Sequence, residues 1–418
     1  MTTMKRMILI LLWVLISLPF PARGLRVAFV GDPQVDDSLE LEFARKSIYR
    51  ELMQRKDIDL AVFLGDLVND KPELLLPTRA ILDSLPFRWV CVPGNHDRDL
   101  YPKNPDGTRR LRDLQTYRKI IGHPDTTFVT GGIRFILMNN VRHSEKGEYE
   151  GGLTSGQKHW LDSVVTTSPG VKVALTVFAA HIPLGRPERA DSVYSILDKA
   201  GALMTVFGHT HTVSRHSVRM PSGRKTEMLV AGAACGSWWR GVRDASGVPY
   251  ALQNCGAPRG YFIADFNRKG KYSLKYKCVG RPEEEQFSIY SSTLKSISQG
   301  ISRDSTVLTV NVFGGSSDGI LEVKGIKGWL PLSLKGETAP EVLEVIDFNR
   351  RATREERKKN KRDFIPLRNM KSPHVWSGLM EGDLTGKIIR VRYRDSCMSF
   401  TSSAVPKDGT SLLQKRER

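Results

Sequence analysis

Five short motifs in this chain gather carboxylates, amides and imidazoles, and four of the five begin with glycine. They are Gly31-Asp32-Pro33-Gln34, Gly65-Asp66-Leu67-Val68-Asn69-Asp70, Gly94-Asn95-His96-Asp97, Ala180-His181 and Gly208-His209-Thr210-His211. Hard oxygen ligands combined with imidazole nitrogens suit Mn, Fe, Zn or Ni. Their number exceeds what one zinc ion needs, whereas a pair of divalent ions about 3.5–4 Å apart uses a set of this size. The motifs therefore predict a two-metal centre that activates water against a phosphoryl group, the chemistry of phosphatases and nucleases.

Each motif follows a short apolar run with the length and composition of a buried strand. The predicted strands are Arg26–Val30, Leu60–Leu64, Trp89–Val92, Phe135–Met138, Lys172–Phe178 and Leu203–Phe207. Amphipathic helical segments lie between them, at Ser38–Gln54 (with Ser38 as N-cap), Glu73–Ser84, Ser155–Val165 and Ala190–Ala200. This alternation predicts an α/β sandwich with at least partly parallel sheets. Because ligands bind at the carboxyl ends of strands in such sheets, we expect the five motifs to converge.

From Gly260 onward the sequence changes to β-like segments separated by turn residues. These segments are Tyr261–Phe266, Tyr272–Tyr276, Thr306–Val312 and Ile388–Tyr393. We therefore predict a catalytic domain over 25–280, a β-rich C-terminal domain over 281–406 and a polar tail over 407–418.

The N-terminus has the pattern of a secretory signal peptide over residues 1–24. Lys5 and Arg6 precede the apolar run Met7–Phe20, and small residues follow it. Fourteen helical residues rise only about 21 Å, which is short of a hydrocarbon core of about 30 Å. A buried core helix or an uncleaved anchor is the alternative interpretation. The sequence thus predicts a secreted or periplasmic protein with no transmembrane helix after cleavage.

The composition excludes a disordered, collagen-like or multispan membrane protein and favours anionic partners. Of 418 residues, 40% are hydrophobic, and 63 Lys and Arg against 45 Asp and Glu give a net charge of +18. Eight of the thirteen residues from 350 to 362 are basic. This basic segment is either a solvated surface or a contact with an anionic envelope surface such as phosphate-rich lipid or polysaccharide. Nucleic acid is disfavoured, because the segment contains no aromatic residue and no nucleic-acid motif is present.

The five cysteines show no C-x-x-C spacing, so a thiolate zinc site is not expected. An odd number leaves at least one unpaired in an exported protein. Cys235 and Cys255, which share a loop-rich segment, are the candidate pair, and Cys91 is interpreted as a core thiol.

In type and order, the five motifs resemble those of the calcineurin-like metallophosphoesterases over about residues 25–275. The resemblance implies a four-layer αββα sandwich and hydrolysis of phosphate mono- or diesters by a hydroxide that bridges two divalent ions. Matching the motifs position by position, Asp66 would bridge the metals. Asp32 and His211 would bind the first metal, with Gln34 as a weak or water-mediated ligand, and Asn95, His181 and His209 would bind the second. The implied metal ligands are Asp32, Gln34, Asp66, Asn95, His181, His209 and His211. His96 would protonate the leaving oxygen or stabilise the charge on the phosphoryl group, and Asp97 would orient its ring.

The first motif departs from the family pattern, which usually has histidine where this chain has Gln34. A neutral amide oxygen is expected to weaken the first site and to favour Mn²⁺ or Mg²⁺ over Zn²⁺, so Mn is the metal that we expect among Mn, Fe, Zn and Mg. The rival hypothesis follows from the same residue. If Gln34 prevents metal binding, the protein is a non-catalytic binding or adhesion module of the envelope.

Segments of the C-terminal half resemble a bacterial subgroup of the same family that carries a dedicated β-rich C-terminal domain. These segments are Gly236-Ser237-Trp238-Trp239, Gly260-Tyr261-Phe262, Lys275-Tyr276-Lys277 and Ser372-Pro373-His374-Val375-Trp376. Trp238, Trp239 and Arg240 are either a hydrophobic clasp between domains or a substrate surface that stacks a sugar or base and binds phosphate. Arg142, which follows a predicted strand end, is a further candidate for substrate contact.

Overall fold

A computed structural model describes residues 24–409, except 100–112, 144–147, 168–169, 171, 186–190, 295–296, 299–300, 303 and 327. The predicted signal peptide lies outside the described residues up to position 23, and the polar tail lies outside them from position 410. No helix within these ranges is both long and apolar enough to span a bilayer.

Among the described residues, thirteen strands and six α-helices belong to the part that carries the motifs. The strands are β1 (Leu25–Val30), β2 (Leu60–Phe63), β3 (Arg88–Cys91), β4 (Thr126–Thr130), β5 (Ile133–Met138), β6 (Val141–His143), β7 (Tyr149–Gly151), β8 (Leu175–Ala180), β9 (Leu203–Phe207), β10 (Val213–Arg219), β11 (Lys225–Ala231), β12 (Gly260–Phe266) and β13 (Tyr272–Cys278). The helices are α1 (Ser38–Ala44), which continues through a π-helical turn (Arg45–Tyr49) into α2 (Arg50–Gln54), then α3 (Leu75–Leu82), α4 (Gln115–Ile120), α5 (Ser155–Thr166) and α6 (Asp191–Asp198).

Two sheets stack face to face, with helices on both outer surfaces. The first has the order β13-β12-β1-β2-β3, and the second has the order β10-β11-β9-β8-β5-β4. Strand alternation sorts the side chains into layers: Val27 and Phe29 of β1 enter the core between the sheets, whereas Ala28 and Val30 pack under the helices α1 to α4. The second sheet buries its outer face under α5 and α6 in the same way.

This architecture confirms the predicted four-layer αββα sandwich with partly parallel sheets. The strands β1, β2 and β3 are parallel, and so are β5, β8, β9 and β11. The predicted N-cap is wrong by one residue. Asp37, not Ser38, caps α1, because its carboxylate accepts the Glu40 backbone N–H at 2.8 Å.

The C-terminal part is a curled eight-stranded sheet with its own core, which confirms the predicted smaller all-β domain. Its strands are β14 (Phe287–Leu294), β17 (Ser305–Val312), β18 (Ile320–Gly325), β19 (Gly328–Leu334), β20 (Val375–Glu381), β21 (Ile389–Arg394), β22 (Ser399–Ala404) and β23 (Lys407–Asp408), and the short pair β15 (Ile297–Ser298) and β16 (Ile301–Ser302) extends beyond β14. The predicted domain boundaries stay predictions.

Two helices lie between β19 and β20. They are α7 (Pro340–Arg351) and α8 (Arg354–Lys359), and they contain most of the basic segment. Arg362, at the end of that segment, pairs with Asp37 and Glu40 of the two-sheet part at 2.7 Å each. Arg351 pairs with Asp347 within α7. The basic segment is therefore partly used inside the chain, and its contact with an envelope surface stays a prediction.

A buried arginine joins the two parts of the molecule. The guanidinium of Arg215 on β10 is fully buried and bonds Glu227 at 2.8 Å. Its other nitrogens reach Asp395 of the C-terminal part at 2.9 and 3.2 Å and the Gly314 carbonyl at 2.9 Å. Burial alone would raise the pKa of Asp395, but the charge of Arg215 outweighs burial, so the pKa of Asp395 lies below its ordinary value. At Glu227 burial prevails, and the pKa of Glu227 is raised.

Replacing Arg215 with methionine is expected to lower the free energy of unfolding by about 3–5 kcal/mol at pH 7, because two buried carboxylates lose their cation. Asp395 has a lowered pKa in the native state, so its contribution is present above the ordinary carboxylate range and is lost as the pH falls. The deficit of the variant should therefore persist from pH 7 to about pH 4 and shrink only below about pH 4 in urea unfolding. Arg219→Met, at an exposed position of the same strand, is the control. An equal deficit in both variants would contradict the role of the buried pair.

All five cysteines are free, and four of them are buried. The candidate pair is therefore not formed: the Cys255 sulfur accepts the Val213 N–H at 3.4 Å, and the Cys235 sulfur lies 3.9 Å from His211 Nδ1. Cys91 is buried in the core under the first sheet, as the sequence indicated.

Candidate metal centre

The five motifs meet where the strands of both sheets end. Asp32, Asp66 and Asn95 follow β1, β2 and β3 of the first sheet, and His181 and His209 follow β8 and β9 of the second. The parallel registers place these ends side by side, since Val30 is opposite Phe63 and Phe63 is opposite Cys91. The structure therefore brings the motifs together at one edge of the sandwich, as expected.

Three candidate ligand atoms surround one imidazole nitrogen. His181 Nε2 lies 3.2 Å from Asp66 Oδ2, 3.0 Å from Asn95 Oδ1 and 3.2 Å from His209 Nδ1. Asp66, His181 and His209 each offer one donor atom, and these three atoms lie within 4.8 Å of one another. Such a set of carboxylate, amide and imidazole donors fits a divalent transition-metal ion.

Backbone carbonyls orient both imidazoles that face the buried carboxylates. His181 Nδ1 contacts the Leu64 carbonyl at 2.7 Å, and His211 Nδ1 contacts the Gly236 carbonyl at 3.0 Å. A carbonyl only accepts, so each Nδ1 carries a proton, and Nε2 is the nitrogen that could coordinate a metal ion. Metal-binding histidines commonly donate their other ring N–H to a backbone carbonyl in this way.

A second group of donors forms around Asp32. Its Oδ2 lies 3.3 Å from His211 Nε2, and its carboxylate accepts the His209 backbone N–H at 2.9 and 3.1 Å. Gln34 is buried in the same loop, but its amide nitrogen donates to Asn69 Oδ1 at 3.2 Å, and its oxygen faces the Cys235 sulfur at 3.9 Å. The structure thus brings Asp32 and His211 together, while Gln34 as a ligand stays a prediction.

The charges within the first cluster are strongly coupled. Burial raises the pKa of Asp66, but His181 outweighs burial and leaves that pKa well below its ordinary value. Burial lowers the pKa of His181, but the Asp66 carboxylate outweighs it and raises the pKa to about 9. For His209, burial and the charge on His181 lower the pKa to about 4. The buried carboxylate requires a positive charge beside it, which a divalent cation supplies as well as a proton does.

Backbone strain is concentrated in the motifs. Non-glycine residues rarely adopt the left-handed region, which costs about 1–2 kcal/mol per residue. Five of the seven predicted ligands are there: Asp32 (φ 40°), Gln34 (φ 37°), Asp66 (φ 49°), His209 (φ 73°) and His211 (φ 49°). Such conformations persist at binding sites where the surrounding structure holds them, so the clustering supports a functional role for these loops.

Two motif glycines occupy positions where a Cβ atom would clash with a candidate ligand. A Cβ on Gly94 would lie 2.0 Å from Asp66 Oδ1, and a Cβ on Gly208 would lie 2.4 Å from Asp32 Oδ1. The carboxylates that face the histidines therefore sit directly against bare backbone. Donor chemistry and this close packing together show that the residues around Asp66 fit a divalent metal ion.

His96 lies beside the cluster, but its partner differs from the predicted one. His96 Nδ1 lies 3.2 Å from Asp70 Oδ1, and its backbone N–H donates to Asp66 Oδ1 at 2.8 Å. Burial lowers the pKa of His96, but the carboxylates of Asp70 and Asp66 outweigh it and raise the pKa above its ordinary value. Asp70 therefore occupies the orienting position.

The predicted role of Asp97 is wrong. Its carboxylate is fully buried and accepts the backbone N–H groups of Val68 at 3.1 Å and Gly94 at 2.8 Å. Burial and the nearby Asp66 raise the pKa of Asp97 to about 7. Asp97 joins the second motif to the third and does not orient His96.

Asn140 is a further supporting residue that the sequence did not indicate. It is fully buried, and its side-chain oxygen accepts the backbone N–H of His181 at 3.2 Å and of Ile182 at 3.0 Å. Its amide nitrogen donates to the Ile182 carbonyl at 2.6 Å. Asn140 thus fixes the loop that carries His181, and no motif in the sequence indicated this.

The four candidate substrate residues have different surroundings. Trp238 is 39% exposed with its ring centroid 4.8 Å from that of His211. Trp239 is fully buried and donates from Nε1 to the Pro33 carbonyl at 3.0 Å. It packs against the first motif, and the prediction that it contacts substrate is therefore wrong. Arg240 is half-buried, and Arg142 on β6 is exposed. Substrate contact by Trp238, Arg240 and Arg142 stays a prediction.

The fold and the donor set define a two-sheet α/β protein with a candidate site for divalent metals. Residues 25–213 match the family model of the calcineurin-like phosphoesterases, and residues 229–397 match the model of the C terminal of calcineurin-like phosphoesterase. The chain belongs to the calcineurin-like phosphoesterase family, which confirms the resemblance seen in the motifs. No curated protein matches the chain in sequence.

Two similar solved structures are a purple acid phosphatase from seeds of yellow lupin (Lupinus luteus) and a 5′-nucleotidase from Candida albicans. The first is 14% identical with a TM-score of 0.41, and the match covers 61% of this chain and 51% of that chain. The second is 13% identical with a TM-score of 0.34, and the match covers 62% of this chain and 52% of that chain. The chain spans about half the length of each.

Proposed function

We propose that this protein is an exported phosphoesterase that uses two divalent metal ions to hydrolyse phosphate mono- or diesters. The observation that carries the proposal is the convergence of Asp66, Asn95 and His209 within 3.2 Å of His181 Nε2. These residues come from four separate strand ends, so their convergence is a property of the fold and not of local sequence. The family supports the same class of reaction.

The donors divide into two groups that share Asp66. Asn95, His181 and His209 would hold one ion with Asp66, and Asp32 and His211, with Gln34, would hold the other. Asp66 suits a shared ligand, because its backbone carbonyl also accepts the Gln34 N–H at 2.8 Å and so ties the first motif to the second. Two divalent ions would supply an activated water and neutralise the charge that develops on the phosphoryl group. The amide oxygens in the set favour Mn²⁺.

His96 would donate the proton that the leaving oxygen needs. Asp70 faces Nδ1, so Nε2 is the nitrogen that carries the transferable proton. The backbone N–H of His96 bonds the Asp66 carboxylate, which keeps the acid next to the metal ligands. In this proposal, His96 transfers the proton and the metal ions held by the ligand cluster neutralise charge.

Export is proposed from the basic and apolar pattern of the N-terminal 24 residues. The net charge of +18 supports an anionic substrate or an anionic envelope surface around the enzyme. N-terminal sequencing of the protein recovered from the periplasm or medium tests export. A product that keeps residues 1–24 would contradict it.

A non-catalytic binding or adhesion module is the second candidate, and one observation favours it. The Gln34 amide nitrogen bonds Asn69 and not a member of the cluster, so the Asp32 group has one strong donor fewer than the Asp66 group. Metal content separates the candidates, since only the enzyme requires two ions.

Turnover of a chromogenic monoester and diester by the Mn²⁺-loaded protein (residues 25–418) is the direct test. We expect metal-dependent hydrolysis of 4-nitrophenyl phosphate or bis(4-nitrophenyl) phosphate, which Asp66→Ala abolishes. Asp162→Ala is the matched control, because Asp162 is a surface carboxylate on α5 that pairs with Lys199. No turnover of either ester, together with fewer than two metal ions per chain, would overturn the proposal and favour the binding module.

A further inference from the structure

Two exposed aromatic side chains flank the histidines of the candidate metal centre. The ring of Tyr149 lies 5.5 Å from that of His209 in an edge-to-face arrangement at 85°, and the ring of Trp238 lies 4.8 Å from that of His211. Tyr149 is 45% exposed and Trp238 is 39% exposed. His209 and His211 are two residues apart in one loop. Each of them therefore has a partly exposed aromatic ring beside it.

Packing does not explain the position of Trp238. Trp238 and Trp239 are consecutive, and both have φ of 53°, in the left-handed region that bulky side chains disfavour. Trp239 is fully buried and bonded to the Pro33 carbonyl, so its conformation is compensated. The indole of Trp238 gains no such burial and lies beside the His211 ring. A strained backbone that presents a large aromatic ring to solvent at a candidate active site indicates a binding role.

Tyr149 is held in place by the element that also supports His181. It belongs to the pair β6 and β7, which is separate from both large sheets, and it lies opposite His143. Arg98 anchors this pair through the Val141 carbonyl at 2.8 Å, and the Gly152 N–H bonds the Asn140 carbonyl at 2.8 Å. Because Asn140 also fixes the His181 loop, the Tyr149 ring is positioned relative to the ligands by a short chain of hydrogen bonds.

We propose that Tyr149 and Trp238 form an aromatic mouth that binds the organic part of the substrate by its flat π surface. The substrate class is then a phosphate ester that carries a planar heteroaromatic ring, as nucleotides do, in preference to esters of glycerol or serine. Stacking on tyrosine and tryptophan rings tolerates different bases, because every base offers a π face. This inference rests on the proposed function, and it goes further by naming the chemistry that selects the ester.

The test compares adenosine 5′-monophosphate with glycerol 1-phosphate, both hydrolysed by the Mn²⁺-loaded full chain. We expect the ratio of the two kcat/KM values to favour the nucleotide and to fall about 10-fold or more in Trp238→Ala and in Tyr149→Ala, since aromatic stacking of a base accounts for changes of this size. Trp238→Phe and Tyr149→Phe keep a π face and should retain most of the ratio. The matched control is Trp329→Ala, at a half-buried tryptophan of the C-terminal sheet that Arg392 covers at 4.3 Å.

Binding of adenosine, measured by calorimetry, gives a readout that does not depend on turnover. Trp238→Ala should weaken it about 10-fold. A wild-type preference for glycerol 1-phosphate, or a ratio that both alanine variants leave unchanged, would overturn the aromatic mouth. So would a Trp238-dependent preference for glucose 6-phosphate over the nucleotide, which would assign the mouth to a sugar. If the protein hydrolyses neither of these two esters, turnover of the chromogenic esters still decides on the proposed function, and adenosine binding decides on the mouth. Dependence of that binding on Trp238 supports the mouth, and independence overturns it.

Discussion

Gly94→Ala is expected to lower the phosphoesterase activity by about 100-fold or more and to reduce the bound metal below two ions per chain. The added Cβ would lie 2.0 Å from Asp66 Oδ1, 2.3 Å from the Asp66 nitrogen and 2.6 Å from its Cγ. Rotation of the carboxylate cannot relieve a clash with the backbone, so the shared ligand has to move. A displacement of about 1 Å at reacting groups is enough for a loss of this size.

Metal analysis and kinetics of the purified variant check this expectation. The matched control is Gly156→Ala on α5, where an added Cβ meets nothing within 4 Å. It should keep two ions per chain and the wild-type rate. Asp66→Asn, which preserves the shape of the side chain, distinguishes loss of the ligand from loss of folding. Two ions and full activity in Gly94→Ala would mean that Asp66 is not a ligand.

The strands and the five motifs could be predicted because the signals that define them are local. An apolar run followed by glycine and a polar group marks the end of a buried strand, and parallel strands bring such ends together. The structure accordingly places Asp32, Asp66, Asn95, His181 and His209 at one edge of the sandwich. Their convergence follows from topology, so it required no knowledge of side-chain geometry.

The supporting residues could not be predicted because contact in space decides their roles. Asp97 is adjacent to His96 in sequence, yet its carboxylate turns inward to Val68 and Gly94, and Asp70, twenty-six positions earlier, faces the imidazole. Trp238 and Trp239 show the same limit. Neighbours of identical type take opposite environments, one exposed and one buried, and only the three-dimensional packing separates them.

His96→Ala is expected to lower kcat by about 10²–10⁴-fold for an alkyl phosphate, because an alkoxide leaves poorly without a proton. The loss should be smaller for 4-nitrophenyl phosphate, whose leaving group is stable as an anion. Metal content should stay at two ions per chain, since His96 bonds Asp66 only through its backbone N–H, which alanine retains. The ratio of the two rates therefore isolates proton donation from metal binding.

Asp70→Asn and Asp97→Asn separate the orienting carboxylate from the structural one. Asp70→Asn weakens the hold on His96 Nδ1, so it should change the ratio of alkyl to aryl rates in the same direction as His96→Ala, by a smaller factor. In Asp97→Asn the side-chain amide NH₂ faces one of the two backbone N–H donors, so the free energy of unfolding should fall by about 1–3 kcal/mol. The ratio of alkyl to aryl rates should stay unchanged. Denaturant unfolding and the two substrates distinguish these outcomes. A changed ratio in Asp97→Asn alone would return the orienting role to Asp97 and contradict the geometry of the His96–Asp70 pair.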